Sequence, residues 1–194
     1  LIFPTVITPA SIEEITPGGV RTTAATYDCD VRVFATGFDA LTGALTRIDP
    51  TGPDGQRLSE AWADGPLTFV GVMVPRLPNL FSFSGPGSPS VLANMVLHAE
   101  VQVDWAIDLI LAARERGITE VEPRGDAARA WTEHVAEAAD RTLFPKAQSS
   151  WYLGANIDGK KRVFMPYAGG FGNYRRYLDD IAQQGYPGLV LTTR

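Results

Sequence analysis

The sequence predicts an α/β fold whose β-sheet is incomplete within its 194 residues. Two apolar segments, residues 30–35 and 79–84, have strand composition, and each ends at a turn that contains glycine. The second turn, Gly85-Pro86-Gly87-Ser88-Pro89, leads into a long segment with apolar residues at helical spacing. A strand, a turn and a helix in this order are typical of an α/β layer. Since few strands can be identified, we expect the rest of the sheet to come from residues outside this sequence.

The N-terminal third predicts a hairpin followed by one strand and a surface excursion. Ile12–Ile15 and Val20–Thr26, separated by Pro17-Gly18-Gly19, have the pattern of a β-hairpin. Residues 41–66 are rich in Gly, Pro and Asp. That composition predicts a long excursion with little regular structure, and Trp62 is its expected anchor.

Two helices are predicted after the glycine turn. The first is expected to begin at Pro89, with Ser88 as N-cap, and to run to about Arg116, where Gly117 supplies the stop. The second is expected over Asp126–Thr142, because its apolar residues recur on one face.

The C-terminal segment predicts a loop, a third helix and a strand. Residues 148–172 have the composition of a loop with short extended pieces. Asn173 is the expected cap of the third helix and Gly185 its stop, and residues 188–192 have the composition of a last strand.

The composition indicates a globular chain that acts on small molecules. It is 45% hydrophobic and 20% charged, and its net charge of −5, with scattered basic residues, argues against binding to nucleic acid or to an anionic membrane. No apolar run approaches the ~20 residues that cross a bilayer and no signal-peptide pattern is present, so we expect a cytoplasmic protein. Cys29 is the sole cysteine, which excludes an internal disulfide. The chain opens at Leu1 without methionine, from which we expect a missing N-terminal part.

The glycine turns allow two interpretations. At Gly85–Ser88 the backbone is open to close approach, and the N–H groups of the following helix would attract an anion. With Gly-Pro-Gly in place of Gly-x-Gly-x-x-Gly, local spacing alone favours a simple tight turn. Thr36-Gly37-Phe38-Asp39 is likewise favoured as a plain strand end.

The remaining candidates are weaker. His98 and His134 are interpreted as packing or surface residues, not as catalysts. Arg175-Arg176 and Lys160-Lys161-Arg162 could meet a nucleotide phosphate, although a solvated surface is favoured. Trp151-Tyr152 is equally compatible with core anchoring and with ligand stacking. The sequence contains no nucleophile elbow, phosphate loop or metal-ligand cluster.

Six motifs, in their order and spacing, resemble those of the Baeyer-Villiger monooxygenases, and most of all the phenylacetone and steroid monooxygenase branch. The motifs are Phe34-Ala35-Thr36-Gly37-Phe38-Asp39-Ala40, Pro78-Asn79-Leu80-Phe81, Gly85-Pro86-Gly87-Ser88-Pro89, Ser150-Trp151-Tyr152-Leu153-Gly154-Ala155-Asn156, Gly159-Lys160-Lys161-Arg162-Val163-Phe164 and Gly169-Gly170-Phe171. The resemblance covers almost the whole chain. It implies the C-terminal portion of a flavoprotein with two Rossmann-like dinucleotide-binding domains, for FAD and NADP.

The resemblance also implies an activity. That family uses FAD, NADPH and O₂ to insert an oxygen atom beside a ketone carbonyl, which gives an ester or lactone. The partners implied are therefore a ketone, O₂ and the upstream portion of the same enzyme. The catalytic arginine and both nucleotide fingerprints would lie upstream of Leu1, so no catalytic residue is assigned and the isolated chain is expected to be inactive.

Site residues are assigned by the same resemblance. The cofactor-binding residues that it implies are Gly85, Asn94 and Met95, beside the isoalloxazine, and Trp151, on a mobile loop that folds over NADP. The residues that it places along the substrate pocket are Ser90, Val91, Leu92 and Leu153. No metal ligand is implied.

The expected domain division is residues 1–10 as the end of the NADPH-binding domain, 11–120 as part of the FAD-binding domain and 121–194 as a helical and loop extension. Two alternatives stay open. Another flavin-containing or N-hydroxylating monooxygenase shares the alanine-threonine-glycine strand, although the Trp151 loop argues against it. A stand-alone binding module without enzymatic activity is the other, and a flavin-free, cooperatively folded chain would favour it.

Overall fold

The computed structural model describes residues 10–34, 38–147 and 150–193. The chain divides into two compact units, residues 1–36 and 37–194. The first unit contains a three-stranded antiparallel sheet, formed by β1 (Ile12–Ile15), β2 (Gly19–Thr22) and β3 (Thr26–Asp28) in that order. The predicted hairpin is confirmed, but its second arm is divided into β2 and β3.

The predicted strand over residues 30–35 is wrong for residues 30–34, which form no strand. Ala35, Thr36 and Gly37 lie outside the described residues. Val31 and Val33 are 78% and 85% exposed. An extended segment needs a neighbouring strand to pair its N–H and C=O groups, and the described sheet of this unit ends at β3.

The second unit contains five helices and two strands among its described residues. They are α1 (Gly43–Ile48), α2 (Leu58–Ala61), α3 (Met95–Glu115), β4 (Glu120–Pro123), α4 (Gly125–Asp140), α5 (Phe171–Gln183) and β5 (Leu189–Thr192). The two strands pair antiparallel, with Val121 opposite Leu191. The predicted last strand is thus confirmed. Its partner β4 escaped prediction because a four-residue Glu-Val-Glu-Pro segment has little strand character.

The three long helices are confirmed, with changes at two of their starts. Helix α5 begins at Phe171 after Gly170, and the Asn173 side chain, the predicted cap, instead donates to the Gly169 carbonyl at 2.6 Å. Helix α3 begins six residues later than the predicted Pro89. The stops at Gly117 and Gly185 are confirmed, since both take a left-handed conformation just beyond their helices.

The late start of α3 has a local cause. The Ser88 hydroxyl donates to the Gly85 carbonyl at 2.7 Å, and Ser88 is not the residue that caps the helix. Ser90–Leu92 forms one 3₁₀ turn, and extended backbone at Ala93 interrupts it. Asn94 then caps α3, because its side-chain oxygen accepts the N–H of Leu97 at 3.0 Å.

The segment 79–84 is not a strand, contrary to the prediction. Asn79 and Ser84 have positive φ angles, and only Phe81 forms an isolated bridge, to Met73. The Asn79 side chain accepts the N–H of Val121 at 3.0 Å. Its polar groups therefore extend the edge of β4, where a third strand would otherwise pair.

The predicted excursion over residues 41–66 contains the short helices α1 and α2, so the expectation of little regular structure is only partly right. Trp62 is 7% exposed and packs with Leu58, Val74 and Leu77 in a small apolar cluster. Its expected role as an anchor is confirmed.

The main core joins the three long helices to the segment 69–73. Its members include Trp105 and Leu109 of α3, Trp131 of α4 and Tyr174 of α5. This arrangement matters for function because the glycine turn that precedes α3 packs directly against it. No described helix is long and apolar enough to cross a membrane.

One hydrogen-bonded tyrosine links α3, α5 and the segment 69–73. Tyr174 is fully buried; its hydroxyl accepts the Gln102 amide and donates to the Val70 carbonyl, both at 2.6 Å. Tyr174→Phe would leave two buried polar groups without partners, so we expect a loss of about 1–3 kcal/mol in the free energy of unfolding, measured by urea denaturation. Tyr177→Phe is the control, because Tyr177 is 39% exposed. Equal losses in the two variants would contradict this account.

A buried histidine should make stability depend on pH. Burial lowers the pKa of His98; its Nδ1 lies 3.2 Å from the Asn94 carbonyl oxygen, and its Nε2 is buried without a partner among the described residues. The unfolded imidazole, with a pKa of about 6.5, takes up a proton that the folded one resists. The contribution of His98 to the free energy of unfolding is therefore fully present above pH ~6.5, where the imidazole is neutral in both states. It is lost as the pH falls through ~6.5 towards the lowered pKa of the folded state.

We expect the free energy of unfolding to fall between pH 7.5 and 5.5, and His98→Gln to reduce that slope. Urea denaturation at several pH values measures both. If the free energy of unfolding of His98→Gln depended on pH as steeply as that of the unaltered protein, His98 would not be the source of the pH dependence.

Candidate functional site

The turn from Gly85 to Ser90 is held by hydrogen bonds with several parts of the core. All six of its residues are buried. The Trp131 indole N–H donates to the Gly87 carbonyl at 3.0 Å, and the Thr68 hydroxyl donates to the Pro86 carbonyl at 2.8 Å. The Gly87 N–H donates to the Met165 carbonyl at 2.8 Å. A turn held by so many groups is a rigid wall on which a ligand can be positioned.

A cavity of about 550 Å³ opens beside this turn. Three stretches that are far apart in sequence line it: residues 38–47, the turn region with the start of α3, and Trp151. The lining residues are Phe38, Asp39, Ala40, Leu41, Gly43, Ala44, Leu45, Arg47, Ser82, Phe83, Ser84, Gly85, Ser90, Met95 and Trp151.

The cavity is apolar with a few polar groups. Phe38, Phe83 and Met95 are 75%, 42% and 44% exposed, so their apolar surfaces are open to a ligand. Asp39, Arg47 and serine hydroxyls supply the polar part of the lining. Such a composition suits a largely apolar small molecule that carries a few polar groups.

One buried hydroxyl of the cavity wall has no partner. Ser82 is 7% exposed, and its Oγ forms no hydrogen bond within the described residues. An added Cβ at Gly85 would lie 3.1 Å from that oxygen, which places the glycine backbone beside it. An unpaired buried hydroxyl is costly, so a polar ligand atom at this position would be stabilising.

Trp151 enters the cavity from a loop of its own. The 3₁₀ turn Trp151–Leu153 begins after Ser150, whose Oγ accepts the Tyr152 N–H, and Gly154 ends the turn with a left-handed conformation. The Trp151 ring stacks on Tyr152 with centroids 4.2 Å apart and planes at 27°. The indole is half-buried, so one part packs on the protein and the rest faces the cavity.

The structure brings together four of the eight residues named as candidates from the sequence. Gly85, Ser90, Met95 and Trp151 line the same cavity. The other four are absent from its described lining. Asn94 is exposed at the cap of α3, and Leu92 is half-buried at the end of the 3₁₀ turn. Leu153 is buried at the end of the turn Trp151–Leu153, and Val91 is the middle residue of the turn Ser90–Leu92.

Several lining residues were not predicted from the sequence. Phe38, Leu41 and Phe83 are among the exposed or half-exposed apolar residues of the wall. At Phe38 the available signal was an aromatic residue directly after a glycine in the sequence. Leu41 gave no signal, since its positive φ is visible only in the structure.

A larger cleft, of about 700 Å³, lies between α4 and α5. Its lining includes the exposed side chains Arg141, Arg176, Glu137 and Asp180, which carry charges of both signs. Such a mixed and hydrated surface favours no class of ligand. His134 lies at its edge, with Nε2 3.3 Å from the Tyr167 hydroxyl, which agrees with a packing role for this histidine.

No group of three or more His, Cys, Asp or Glu side chains within the described residues is placed to hold a metal ion. Of the basic residues singled out earlier, Lys160 and Lys161 pair with carboxylates, Lys160 with Asp39 and Lys161 with Asp64. Arg175 lies 3.9 Å from Asp179 on α5.

Similar proteins are numerous. No protein-family model matches the chain. A Baeyer-Villiger monooxygenase of Pseudooceanicola batsensis is 41% identical over 180 residues, which is 92% of this chain and 32% of that protein. A phenazine N-monooxygenase of Lysobacter antibioticus is 36% identical over 181 residues, 93% of this chain and 33% of that protein. The chain thus spans about a third of the length of the curated relatives it matches.

Solved structures agree with these relatives. An oxidised steroid monooxygenase bound to NADP has a TM-score of 0.81 and is 44% identical, with 95% of this chain and 34% of that one covered. The OTEMO complex with FAD and NADP has a TM-score of 0.83 at 37% identity, with 94% of this chain and 33% of that one covered. The backbone described above is therefore that of a third of such flavoproteins.

Proposed function

The chain is related to the Baeyer-Villiger monooxygenases over nearly its whole length, and from this premise we propose that it forms the C-terminal part of an FAD- and NADPH-dependent enzyme of that kind. One observation carries the proposal. Gly85, Ser90, Met95 and Trp151, which come from separate stretches of the chain, line one cavity in a protein whose relatives are flavin monooxygenases. The substrate class is a ketone, and the product is an ester or lactone.

The described residues fit a flavin in this cavity. Gly85 has no side chain, so a flat ring can approach the backbone, and the unpaired Ser82 hydroxyl is available to a polar atom at the edge of that ring. Met95 is the first residue of the 21-residue helix α3, whose N-terminal N–H groups favour negative charge. FAD, when bound, supplies the redox chemistry with O₂ and NADPH.

The role of this chain's own residues is to orient the ketone and the nicotinamide and to shield them from water. Ser90, Val91 and Leu92, on the 3₁₀ turn before α3, border the ketone together with Leu153, while Trp151 belongs to the loop that covers the nicotinamide. Asn94 caps α3 and so fixes the direction in which its N-terminus points. Exclusion of water by Trp151 and the apolar wall favours transfer of oxygen to the ketone over release of hydrogen peroxide.

A second observation supports the presence of further chain in the working enzyme. Helix α3 buries Trp105 and Leu109 on one face, yet Val96, Ile107 and Ile110 on another are 69%, 48% and 49% exposed. A helix with apolar residues on two faces is ordinarily buried on both of them. We propose that the remaining part of the enzyme covers this face and completes a Rossmann-like FAD-binding domain.

The domain division remains a proposal of the same kind. Residues 1–10 would end the NADPH-binding domain, 11–120 would belong to the FAD-binding domain and 121–194 would form the extension.

The test is a chimaera that joins this chain to the remaining two thirds of the Pseudooceanicola relative. We expect the purified protein to retain FAD, visible in its absorbance spectrum, and to oxidise NADPH faster when a cyclic or aryl ketone is present. A soluble chimaera that binds no flavin would contradict the proposal.

The alternative function is N-oxygenation of an aromatic heterocycle. The similarity to a phenazine N-monooxygenase is the observation that favours it. Product analysis of the chimaera decides between the two, since a ketone substrate gives an ester whereas a nitrogen heterocycle gives an N-oxide.

A further inference from the structure

Two segments that are more than a hundred residues apart meet at the cavity. We call residues 38–47 the wall segment and residues 150–163 the tryptophan loop. The wall segment supplies Phe38, Leu41 and Arg47 to the cavity lining, and the tryptophan loop supplies Trp151. Contacts between the two segments therefore bear on the position of Trp151.

Polar contacts connect the wall segment and the tryptophan loop. The Lys160 ammonium forms an ion pair with the Asp39 carboxylate and donates to the Thr42 hydroxyl at 2.5 Å. Thr42 in turn donates to the same Asp39 oxygen at 2.9 Å. The Asn156 amide donates to the Phe38 carbonyl at 3.1 Å.

The backbone of Asp39 is held in place by its own segment. The Gly43 N–H donates to the Asp39 carbonyl at 3.1 Å. An added Cβ at Gly43 would lie 2.6 Å from Asp39 Cβ, so the two residues are already in close contact. Asp39 therefore presents its charge to Lys160 from a fixed position.

Lys160 also packs on the turn that carries Trp151. An added Cβ at Gly154 would lie 3.0 Å from Lys160 Cδ, which places the lysine stem against this residue. Gly154 ends the 3₁₀ turn Trp151–Leu153, and its N–H donates to the Trp151 carbonyl at 3.0 Å. The lysine thus contacts the turn through its methylene groups while its ammonium holds the wall.

The next lysine along the chain has a pair of a different kind. The side chains of Lys160 and Asp39 are 19% and 24% exposed, whereas those of Lys161 and Asp64 are 56% and 96% exposed. Exposed ion pairs contribute little to stability, while a shielded pair with a further hydrogen bond is screened less by water and salt. Lys161 is therefore a matched control at the adjacent position.

We propose that Lys160 and Asp39 form a latch that holds the tryptophan loop against the wall segment and thereby positions Trp151 in the cavity. The proposed function adds one consequence, which rests on it: Lys160 is a positioning residue for NADPH. It acts through Trp151 and does not need to touch the cofactor.

The latch itself is tested without any cofactor, by hydrogen–deuterium exchange of the tryptophan loop. Exchange is compared in the unaltered protein, Lys160→Met, Asp39→Asn and the double variant, with Lys161→Met as control. We expect amides of the loop, including those of Gly154 and Val163, to exchange about tenfold faster in Lys160→Met, because local opening becomes easier. The double variant should be no faster than the faster single variant, since the two changes break one interaction.

Lys160→Arg should retain most of the protection, because it keeps the charge. Loop exchange in Lys160→Met that equals that in Lys161→Met would overturn the latch, as would additive effects of the two single changes. A general rise in exchange over α3 and α4 would show that the ion pair stabilises the whole unit, and this would also overturn it.

The consequence for NADPH is tested in the chimaera. We expect Lys160→Met to raise the KM for NADPH about tenfold while kcat changes less than about twofold, and Lys161→Met to alter neither. An unchanged KM together with a loosened loop would overturn the positioning role. A chimaera that never oxidises NADPH would contradict the proposed function, and the exchange result would still decide whether the latch exists.

Discussion

Gly71→Ala is expected to be the most destabilising single substitution considered, with a loss on the order of 4 kcal/mol in the free energy of unfolding or a failure to fold. Gly71 has φ of +69°, and an added Cβ would lie 2.5 Å from the Ser88 nitrogen and 2.7 Å from the Gly87 carbonyl carbon. Both neighbours are backbone atoms, so no side-chain rotation relieves the contact. The displaced backbone is that of the turn beside the cavity, so flavin retention by the chimaera should fall as well.

Gly55→Ala separates the backbone effect from the steric one. Gly55 has φ of +83° and no atom within 4 Å of an added Cβ. It should therefore show only the cost of a left-handed alanine, about 1–2 kcal/mol. Urea denaturation of both variants, followed by tryptophan fluorescence, measures the difference. If the two losses were equal, the close approach of Gly71 to the Gly87–Ser88 backbone would have no energetic importance.

The second large effect is expected at Trp151, measured in the chimaera. Trp151→Ala should lower kcat/KM for NADPH by about 10²-fold, because under the proposed function the nicotinamide would lose the ring that holds it in a reactive geometry. The share of oxidised NADPH that ends as hydrogen peroxide should rise, because water gains access to the cavity. Ester yield and peroxide are measured together with NADPH consumption.

Trp151→Phe is the matched change, since it keeps an aromatic face that can stack on Tyr152, whose ring centroid lies 4.2 Å from that of Trp151. We expect it to retain most of the coupling between NADPH oxidation and ester formation. An alanine variant that couples as well as the phenylalanine variant would show that Trp151 does not shield the cavity.

The sequence predicted the helices better than the strands, for a physical reason. The apolar periodicity of α3, α4 and α5 is a property of each segment alone, and each helix satisfies its own backbone groups. A strand exists only if a partner lies beside it. Residues 30–34 have strand composition but no neighbour to pair with, while Glu120–Pro123 has little strand composition and pairs with β5.

The candidate site was predictable where a residue's role is local. Gly85 and Trp151 stand in motifs that can be recognised in the sequence, and both line the cavity. The start of α3 was misplaced because the backbone at Ala93 is extended and Asn94, not Ser88, accepts an N–H of the first helical turn. The partner of Lys160 is the carboxylate of Asp39, 121 residues away in sequence, and local spacing holds no information about such a pair.

Dye binding to the exposed apolar face of α3 tests the proposal that the rest of the enzyme covers this face. Val96, Ile107 and Ile110 are exposed in the chain as it stands. If the rest of the enzyme covers them, the chimaera should bind less of a dye specific for apolar surface, per molecule, than the 194-residue chain.

The central claim is that this cavity serves the transfer of one oxygen atom from O₂ to a ketone. The most direct measurement is mass spectrometry of the product that the chimaera forms from a ketone and NADPH under oxygen-18 gas. We predict an ester or lactone that carries one oxygen-18 atom, formed in proportion to the NADPH oxidised. NADPH oxidation that yields only hydrogen peroxide and leaves the ketone unchanged, from a chimaera that holds FAD, would contradict the claim.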